Sequence, residues 1–457
     1  MGVRKLLVVI GLAAALLAAA SPSYANKSQF TLFEAPRELL SSDDALRAQT
    51  FDQIQAFGVN YLRVTLLWRA VAPGSGSSRP PAGFDDAGQA GYLWAPYDRE
   101  INEAHARGMK VLVTISGPIP KWASATHKSY TYKPDVTRFQ KFVTAVGNRY
   151  RDQVSMWSIW NEPNHPAFLT PQYARTKSGH RYAYSPKLYR ALFLAGDRGL
   201  RASGNGADRL LLGETEPRGT TKAVPPLQFL RGLLASRGKL PADGYAHHAY
   251  TTRAGPSFVP SNRDDVTIGV LSRLTRALDY YGRKGRIRRG MPIYLTEFGI
   301  QSKPDPYIGV SYQQQAEYRS IAEWMAWRNP RVAGFSQYLM RDDQPRPGSA
   351  YARYSGFESG LRGSNGTVKM SYAGFRLPLV ADARDKHVYF WGYVRPAASR
   401  TRAVVQIRKK GSKRWVKLKT VTTDSRGYWS SVTSLRSAAQ YRVIWGKYTG
   451  PATRAYQ

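Results

Sequence analysis

Two stretches of this chain place a carboxyl where apolar sequence stops. In Trp157-Ser-Ile-Trp160-Asn161-Glu162-Pro163-Asn164 an apolar run ends in Asn-Glu-Pro, and in Ile293-Tyr-Leu-Thr-Glu297-Phe-Gly299 another ends in Glu. A carboxyl at the end of a buried strand is costly unless something there pairs with it or uses it. Pro163 stops the first strand at once, because proline cannot donate to a ladder. Two carboxyls brought to one rim suit glycoside hydrolysis, in which one protonates the leaving oxygen while the other attacks or activates water. Other chemistries lack their parts. The 457 residues contain no cysteine, which excludes thiolate metal sites and a cysteine nucleophile. No Gly-x-Ser-x-Gly elbow speaks for a Ser/His/Asp hydrolase, and no metal-type cluster of His and Asp stands out, so neither a metal nor an organic cofactor is expected.

Such a pair needs a scaffold that delivers strand ends to one face. From residue 26 to about 378 short β-branched runs alternate with amphipathic stretches. The runs at 29–33, 60–66, 110–116, 155–160, 210–214, 244–250, 292–297 and 332–338 read as strands. Helical periodicity falls between them, for example over 42–57, 138–150, 186–202, 267–281 and 313–328. Eight β runs each followed by a helix predict an α/β fold, a (β/α)8 barrel, with Glu162 closing the fourth strand and Glu297 the seventh. An open doubly wound sheet is the alternative, but no Gly-rich phosphate turn follows the first strand. The turn-rich loop 72–84 and the polar stretch 163–185 follow the second and fourth strands, on the face where barrels bind substrate. Glu214, at the end of the fifth run, is a third rim carboxyl, read as structural or substrate-binding.

Past residue 380 the texture changes to alternating apolar and polar residues at 387–395, 402–410, 414–422, 428–433 and 440–447, which predicts a small all-β sandwich over 381–457. Those residues hold 17 Lys and Arg against three Asp, a net +14, within a chain of net +36. Lys413, Lys417 and Lys419 alternate with apolar positions, so one face of a sheet is expected to be basic. Charge of this size attracts polyanions, whether nucleic acid, anionic lipid, an acidic glycan or an anionic wall polymer. Of these the wall polymer or acidic glycan is the expected partner and nucleic acid is not, although an unspecialised cationic surface is the other reading. At the N-terminus, Arg4 and Lys5 precede an apolar run over 6–20 and then Ser23-Tyr24-Ala25. That is the pattern of a signal peptide over residues 1–25. The run falls short of the roughly 20 residues of a membrane span, and none follows, so the mature chain is expected to be secreted without a transmembrane span.

With these residues in order, the chain resembles the clan-A glycoside hydrolases, the cellulase-like superfamily of (β/α)8 enzymes. The resemblance covers about 30–378 and rests on Asn161-Glu162-Pro163 after the fourth strand, Glu297 after the seventh, Arg63 in Asn60-Tyr-Leu-Arg63-Val, His248-Ala-Tyr250 on the sixth, and the closing segment from Ser355 to Tyr372. It implies a retaining β-glycosidase acting on an oligo- or polysaccharide by double displacement, with Glu162 as acid/base and Glu297 as nucleophile. It further implies that Asn161 binds the sugar 2-hydroxyl, that Arg63 keeps Glu297 ionised, that Tyr250 donates to the nucleophile, and that His248 touches sugar or Glu162. Trp122 and Trp160 are expected as stacking platforms. Two departures leave the sugar open. Tyr338 stands on the eighth strand where the family often has Trp, and the third strand offers no His. A barrel that binds glycan without turnover, or a transglycosylase, remains the alternative.

Overall fold

Eight parallel strands close into a barrel in the computed structural model, which describes residues 28–397 and 399–456. The proposed signal peptide, 1–25, lies outside the described residues. The strands are β1 (Phe30–Glu34), β2 (Tyr61–Leu67), β3 (Lys110–Ser116), β4 (Met156–Ile159), β5 (Arg209–Thr215), β6 (Gly244–His248), β7 (Ile293–Glu297) and β8 (Val332–Tyr338). Each pairs in parallel with its sequence neighbours, and β8 returns to β1. The eight runs expected from the sequence are these strands to within about two residues.

Helices α1 (Asp44–Ala56), α2 (Ala95–Ala106), α3 (Val136–Arg149), α4 (Ser185–Ala202), α5 (Pro226–Leu233), α6 (Ser272–Arg283) and α7 (Tyr312–Arg328) follow successive strands, and α8 (Met370–Arg376) closes the ring. Their starts are chemically marked. Asp135 accepts from the backbone N–H groups of Thr137 and Arg138 at the head of α3, and Ser311 forms a capping box with Gln314 at α7. The stretch expected to be helical from 267 begins as a single 3₁₀ turn, Ile268–Val270, before α6.

The period of two divides each strand between two layers. On β2, Leu62, Val64 and Leu66 point out into the core shared with the helices. Tyr61, Arg63 and Thr65 take the other side. At the base of the barrel its axis is filled by Leu32, Leu112, Met156, Leu211, Ala246 and Tyr294. At the strand C-termini the axis turns polar, with Glu34, Arg63, Thr114, Glu214, His248 and Glu297 all buried. This apolar base beneath a polar mouth sets the functional face.

The C-terminal sandwich has two antiparallel sheets. One contains β9 (Leu379–Arg384), β10 (His387–Tyr393) and β13 (Tyr428–Ser434); the other contains β11 (Arg402–Arg408), β12 (Val416–Thr422) and β14 (Gln440–Trp445), extended by the short strands Tyr448–Thr449 and Thr453–Arg454. β9 was not among the runs read from the sequence. The expected basic stripe also changes. A register shift between Val405 and Gln406 pairs Lys417 with Gln406 but Lys419 with Val405, so the two lysines leave opposite faces. Lys419 donates instead to Ser431 Oγ and the Val432 carbonyl of the other sheet. No helix among the described residues is long and apolar enough to cross a membrane.

Candidate active site

Arg63 lies at the centre of the mouth, with no exposed side-chain surface. Its Nη1 donates to Glu297 Oε1 at 2.6 Å and also to Glu34. Its Nη2 donates to Glu214 Oε2 at 2.6 Å and to Asn161 Oδ1 at 2.7 Å. One guanidinium thus fixes four side chains from β1, β5, β7 and the end of β4, as its planar fork of donors allows. Because Asn161 spends its oxygen on Arg63, its amide N–H₂ remains to donate to a ligand.

The chain leaves β4 through unusual backbone. Trp160 and Glu162 have φ of +74° and +40°, a region that costs non-glycine residues about 1–3 kcal/mol each. Hydrogen bonds hold the turn: Asn161 N–H to Ser116 Oγ at 2.9 Å and Glu162 N–H to the Glu214 carbonyl at 3.0 Å. The twist breaks strand alternation and sends Glu162 to the mouth while the Trp160 ring turns into the wall.

Glu162, His248 and Glu297 bring ligand-type atoms within 4.8 Å of one another. His248 Nδ1 is 2.9 Å from Glu162 Oε1 and 3.5 Å from Glu297 Oε2, and its Nε2 is buried with no partner among the described residues. The proton therefore belongs on Nδ1, the nitrogen that faces acceptors. Burial opposes charge on His248, but the two carboxylates outweigh it and raise its pKa. Tyr250 Oη donates to Glu297 Oε2 at 3.0 Å. Burial, then the charge of Glu297, pushes the Tyr250 hydroxyl far up, so it stays a donor. For Glu297 itself burial works toward protonation. The cations His248 and Arg63 and the hydrogen bond from Tyr250 outweigh it and hold its pKa below the ordinary 4.5. Three such groups could in principle take a cation, yet both oxygens of Glu297 already accept protein donors, and Arg63 supplies positive charge at contact distance.

The other expected residues divide. Tyr338 is at the mouth, its hydroxyl kept protonated by burial and by Glu297. Trp160 and Trp122 are in the core instead, at 0% and 2% exposure. The Trp160 ring packs against Phe139, and its Nε1 donates to the Phe168 carbonyl. Trp122 packs edge-on against Trp68 and Phe84. A hollow of about 960 Å³ between the loops after β2 and β3 reaches the edge of Trp122 but includes neither catalytic-type carboxyl in its lining, so carboxyl geometry rather than volume locates the site.

Sequence reasoning overlooked three residues. Glu34 ends β1 as Glu297 ends β7; it shares Arg63 Nη1 and accepts from Thr65 Oγ1 at 2.9 Å. Burial pushes its pKa up to about 7. Glu216 has a buried, unpartnered Oε1 and is pushed up to about 9 by burial and by neighbouring Glu162, which places a neutral carboxyl beside it. Phe357 is 38% exposed, with its ring 5.1 Å from that of Tyr338 and 6.1 Å from that of Tyr250, so it offers the open aromatic face that the tryptophans do not.

Comparison with known structures agrees with this architecture. A monomeric β-xylosidase from Caulobacter crescentus CB15 is similar over 92% of this chain and 95% of its own, at 15% identity and a TM-score of 0.50. A GH39 β-xylosidase from Caulobacter crescentus matches over 91% and 97%, at 16% and 0.51. A hyperthermophilic β-glucosidase from Pyrococcus furiosus matches over 76% and 94%, at 13% and 0.50. The likeness is one of fold. No family model and no curated protein matches the sequence. The shared fold spans both barrel and sandwich in the two xylosidases, since coverage there exceeds nine tenths of each chain.

Proposed function

We propose that this chain is a retaining β-glycosidase that hydrolyses an oligo- or polysaccharide by double displacement. The observation that carries the reading is the carboxyl pair. Glu162 and Glu297 come from the ends of β4 and β7, with an oxygen of each within 4.8 Å of the other. An inverting enzyme needs about 6.5–9.5 Å to admit its water. Glu297, ionised and held by Arg63 and Tyr250, attacks the anomeric carbon as Glu162 protonates the departing oxygen. Glu162 then takes a proton from the water that releases the sugar. The Asn161 amide is free to hold the 2-hydroxyl, a contact that tightens as charge grows at the anomeric carbon. The xylosidase and glucosidase folds it resembles support β-linked pentose or hexose as the first substrates to try. Secretion belongs to the same reading, on the leader pattern of residues 1–25, as does an anionic wall polymer or acidic glycan as partner, on a net charge of +36.

The decisive test is chemical rescue on an activated aryl β-xyloside and β-glucoside. Glu297→Ala should lose turnover and regain it with azide, giving a glycosyl azide of inverted configuration. Glu162→Ala should retain turnover only of substrates with good leaving groups, and its azide product should keep the configuration. Retained azide product from Glu297→Ala, or equal losses over all leaving groups in Glu162→Ala, would overturn the assignment.

A further inference from the structure

The sandwich is layered in one direction. On its first sheet, Val380, Trp391 and Tyr428 pack against Ile321 and Trp324 of α7. From that sheet's other face, Leu379, Ala381, Val388, Phe390 and Trp429 meet Ala403, Val405, Ile407, Tyr441 and Val443 of the second sheet. The outer face of the second sheet is therefore turned away from the barrel.

That outer face is cationic by register. Arg408, Gln440 and Arg454 stand side by side on three strands, and Gln406 is flanked by Arg442 and Lys417. Adjacent strands lie about 4.8 Å apart, so these cations repeat at roughly 5–10 Å. Their forks are held. Arg408 Nε donates to Gln440 Oε1 at 3.0 Å and Arg442 Nε to Gln406 Oε1 at 2.8 Å. Both guanidiniums sit over the Trp415 ring, at 4.8 and 4.3 Å. Each glutamine thereby turns its oxygen to the protein and keeps N–H₂ to donate. Arg408, Lys409, Lys410, Gln440 and Arg454 line a hollow of about 340 Å³.

Among the described residues of the sandwich no carboxylate balances this face, and from the barrel only Glu317 of α7 comes near enough to interact with Arg454 at its edge. Of the three after residue 380, Asp382 binds Arg384 on the first sheet, Asp385 lies in the turn between β9 and β10, and Asp424 closes the turn before β13.

We propose that this outer face binds an acidic polysaccharide, its carboxylates docking on Arg408, Lys410 and Arg454 and its hydroxyls on Gln406 and Gln440. The proposal makes specific the anionic partner put forward above and is independent of the carboxyl chemistry in the barrel. Guanidinium forks match a planar carboxylate. The aromatic of the face, Trp415, is only partly exposed and already stacks two guanidiniums, so it offers a nucleobase less ring than the open platforms that bind single-stranded nucleic acid.

The test is the affinity of the full chain for polygalacturonate, with neutral xylan and a single-stranded DNA oligomer as parallel arms. Arg408→Gln/Lys410→Gln/Arg454→Gln should weaken polygalacturonate binding about tenfold, since exposed charge contacts each contribute a small factor. Lys409→Gln/Lys410→Gln, confined to an exposed hairpin that leaves the sheets intact, should weaken it a few-fold. Arg276→Gln/Arg283→Gln/Arg289→Gln on the barrel removes the same charge as the first variant and should leave affinity within about twofold. Equal losses from the sandwich and barrel triples would overturn the proposal in favour of a diffuse cationic surface. DNA bound more tightly than polygalacturonate, and lost in the same sandwich variants, would overturn it in favour of a nucleic-acid face. Binding is read without turnover, so a chain that binds but does not hydrolyse would defeat the glycosidase reading and leave this one standing.

Discussion

Glu297 has a donor on each oxygen, and that arrangement sets a measurable quantity. The acid limb of kcat/KM reports the free enzyme's nucleophile losing activity as it is protonated. Since Glu297 is held below 4.5, the limb should lie below that pH. Tyr250→Phe removes one hydrogen bond that favours the ionised form, and should move the limb up by about one pH unit, the equivalent of about 1.4 kcal/mol. A pH profile with an unmoved limb would show that Tyr250 does not act on the nucleophile. Tyr250 was reached only through the family resemblance of His248-Ala-Tyr250, whereas Glu297 was legible because it ends an apolar run with a carboxyl. Glu34 carries the same signal, Phe30-Thr-Leu-Phe-Glu34, and was missed because the strand was read as ending one residue early. The tryptophans were misplaced for a different reason. Ring type does not reveal which way a side chain leaves the strand, and the positive φ at Trp160 reverses the direction that alternation predicts.

At the scale of elements, the mouth depends on interruptions in otherwise regular strands. The pairing of β5 with β6 shifts register between Gly213 and Thr215, and that of β6 with β7 shifts between Ala246 and His248. The first shift aims Glu214 at Arg63. Gly213 has φ of +110°, and a Cβ there would stand 2.6 Å from the Ala246 carbonyl and 2.9 Å from the Tyr245 ring. Gly213→Ala should thus lower stability by about 1–3 kcal/mol through strain and overpacking. It should also cut kcat/KM by displacing Glu214, and through it Arg63. Thermal unfolding and kinetics on one aryl glycoside check both, and a fully active, equally stable variant would show the bulge to be incidental. The eight strands could be read from sequence because β-branched runs and turn residues alternate on a regular beat. The bulges could not, since the local pattern of Leu-Leu-Leu-Gly-Glu-Thr is the same with or without one. β9 escaped for a related reason. Leu379 to Arg384 follows α8 after one proline and resembles the tail of the barrel until its partner β10 is seen.

Across the whole molecule, barrel and sandwich are joined by a buried charge cluster. Arg395, just past β10, is completely buried. It donates to both oxygens of Glu323 on α7, to the Phe375 carbonyl of α8 and to Thr31 Oγ1 of β1. Arg319 donates to the same Glu323 at 2.9 Å and, through Nε, to Gln337 on β8. Burial raises the Glu323 pKa, but Arg395 and Arg319 outweigh it and hold it below 4.5. A carboxyl depressed by folding stabilises the fold above its unfolded pKa, and that contribution is lost as pH falls through the folded value. The junction should therefore be at full strength at pH 7 and weaken progressively below about pH 4.5. Arg395→Met strands part of a buried charge and should cost about 3–5 kcal/mol at pH 7. Glu323→Gln/Arg395→Met removes the pair together and should recover part of that loss. Because the cluster spans both units, the wild-type chain should unfold in one transition, while Arg395→Met should separate sandwich from barrel into two. Urea unfolding at pH 7 and pH 3.5, followed by tryptophan fluorescence and by far-ultraviolet circular dichroism, distinguishes these outcomes. A single transition in Arg395→Met, with a loss below about 1 kcal/mol, would mean that the apolar contact of Trp391 and Tyr428 with α7 holds the two units together without help from the charges.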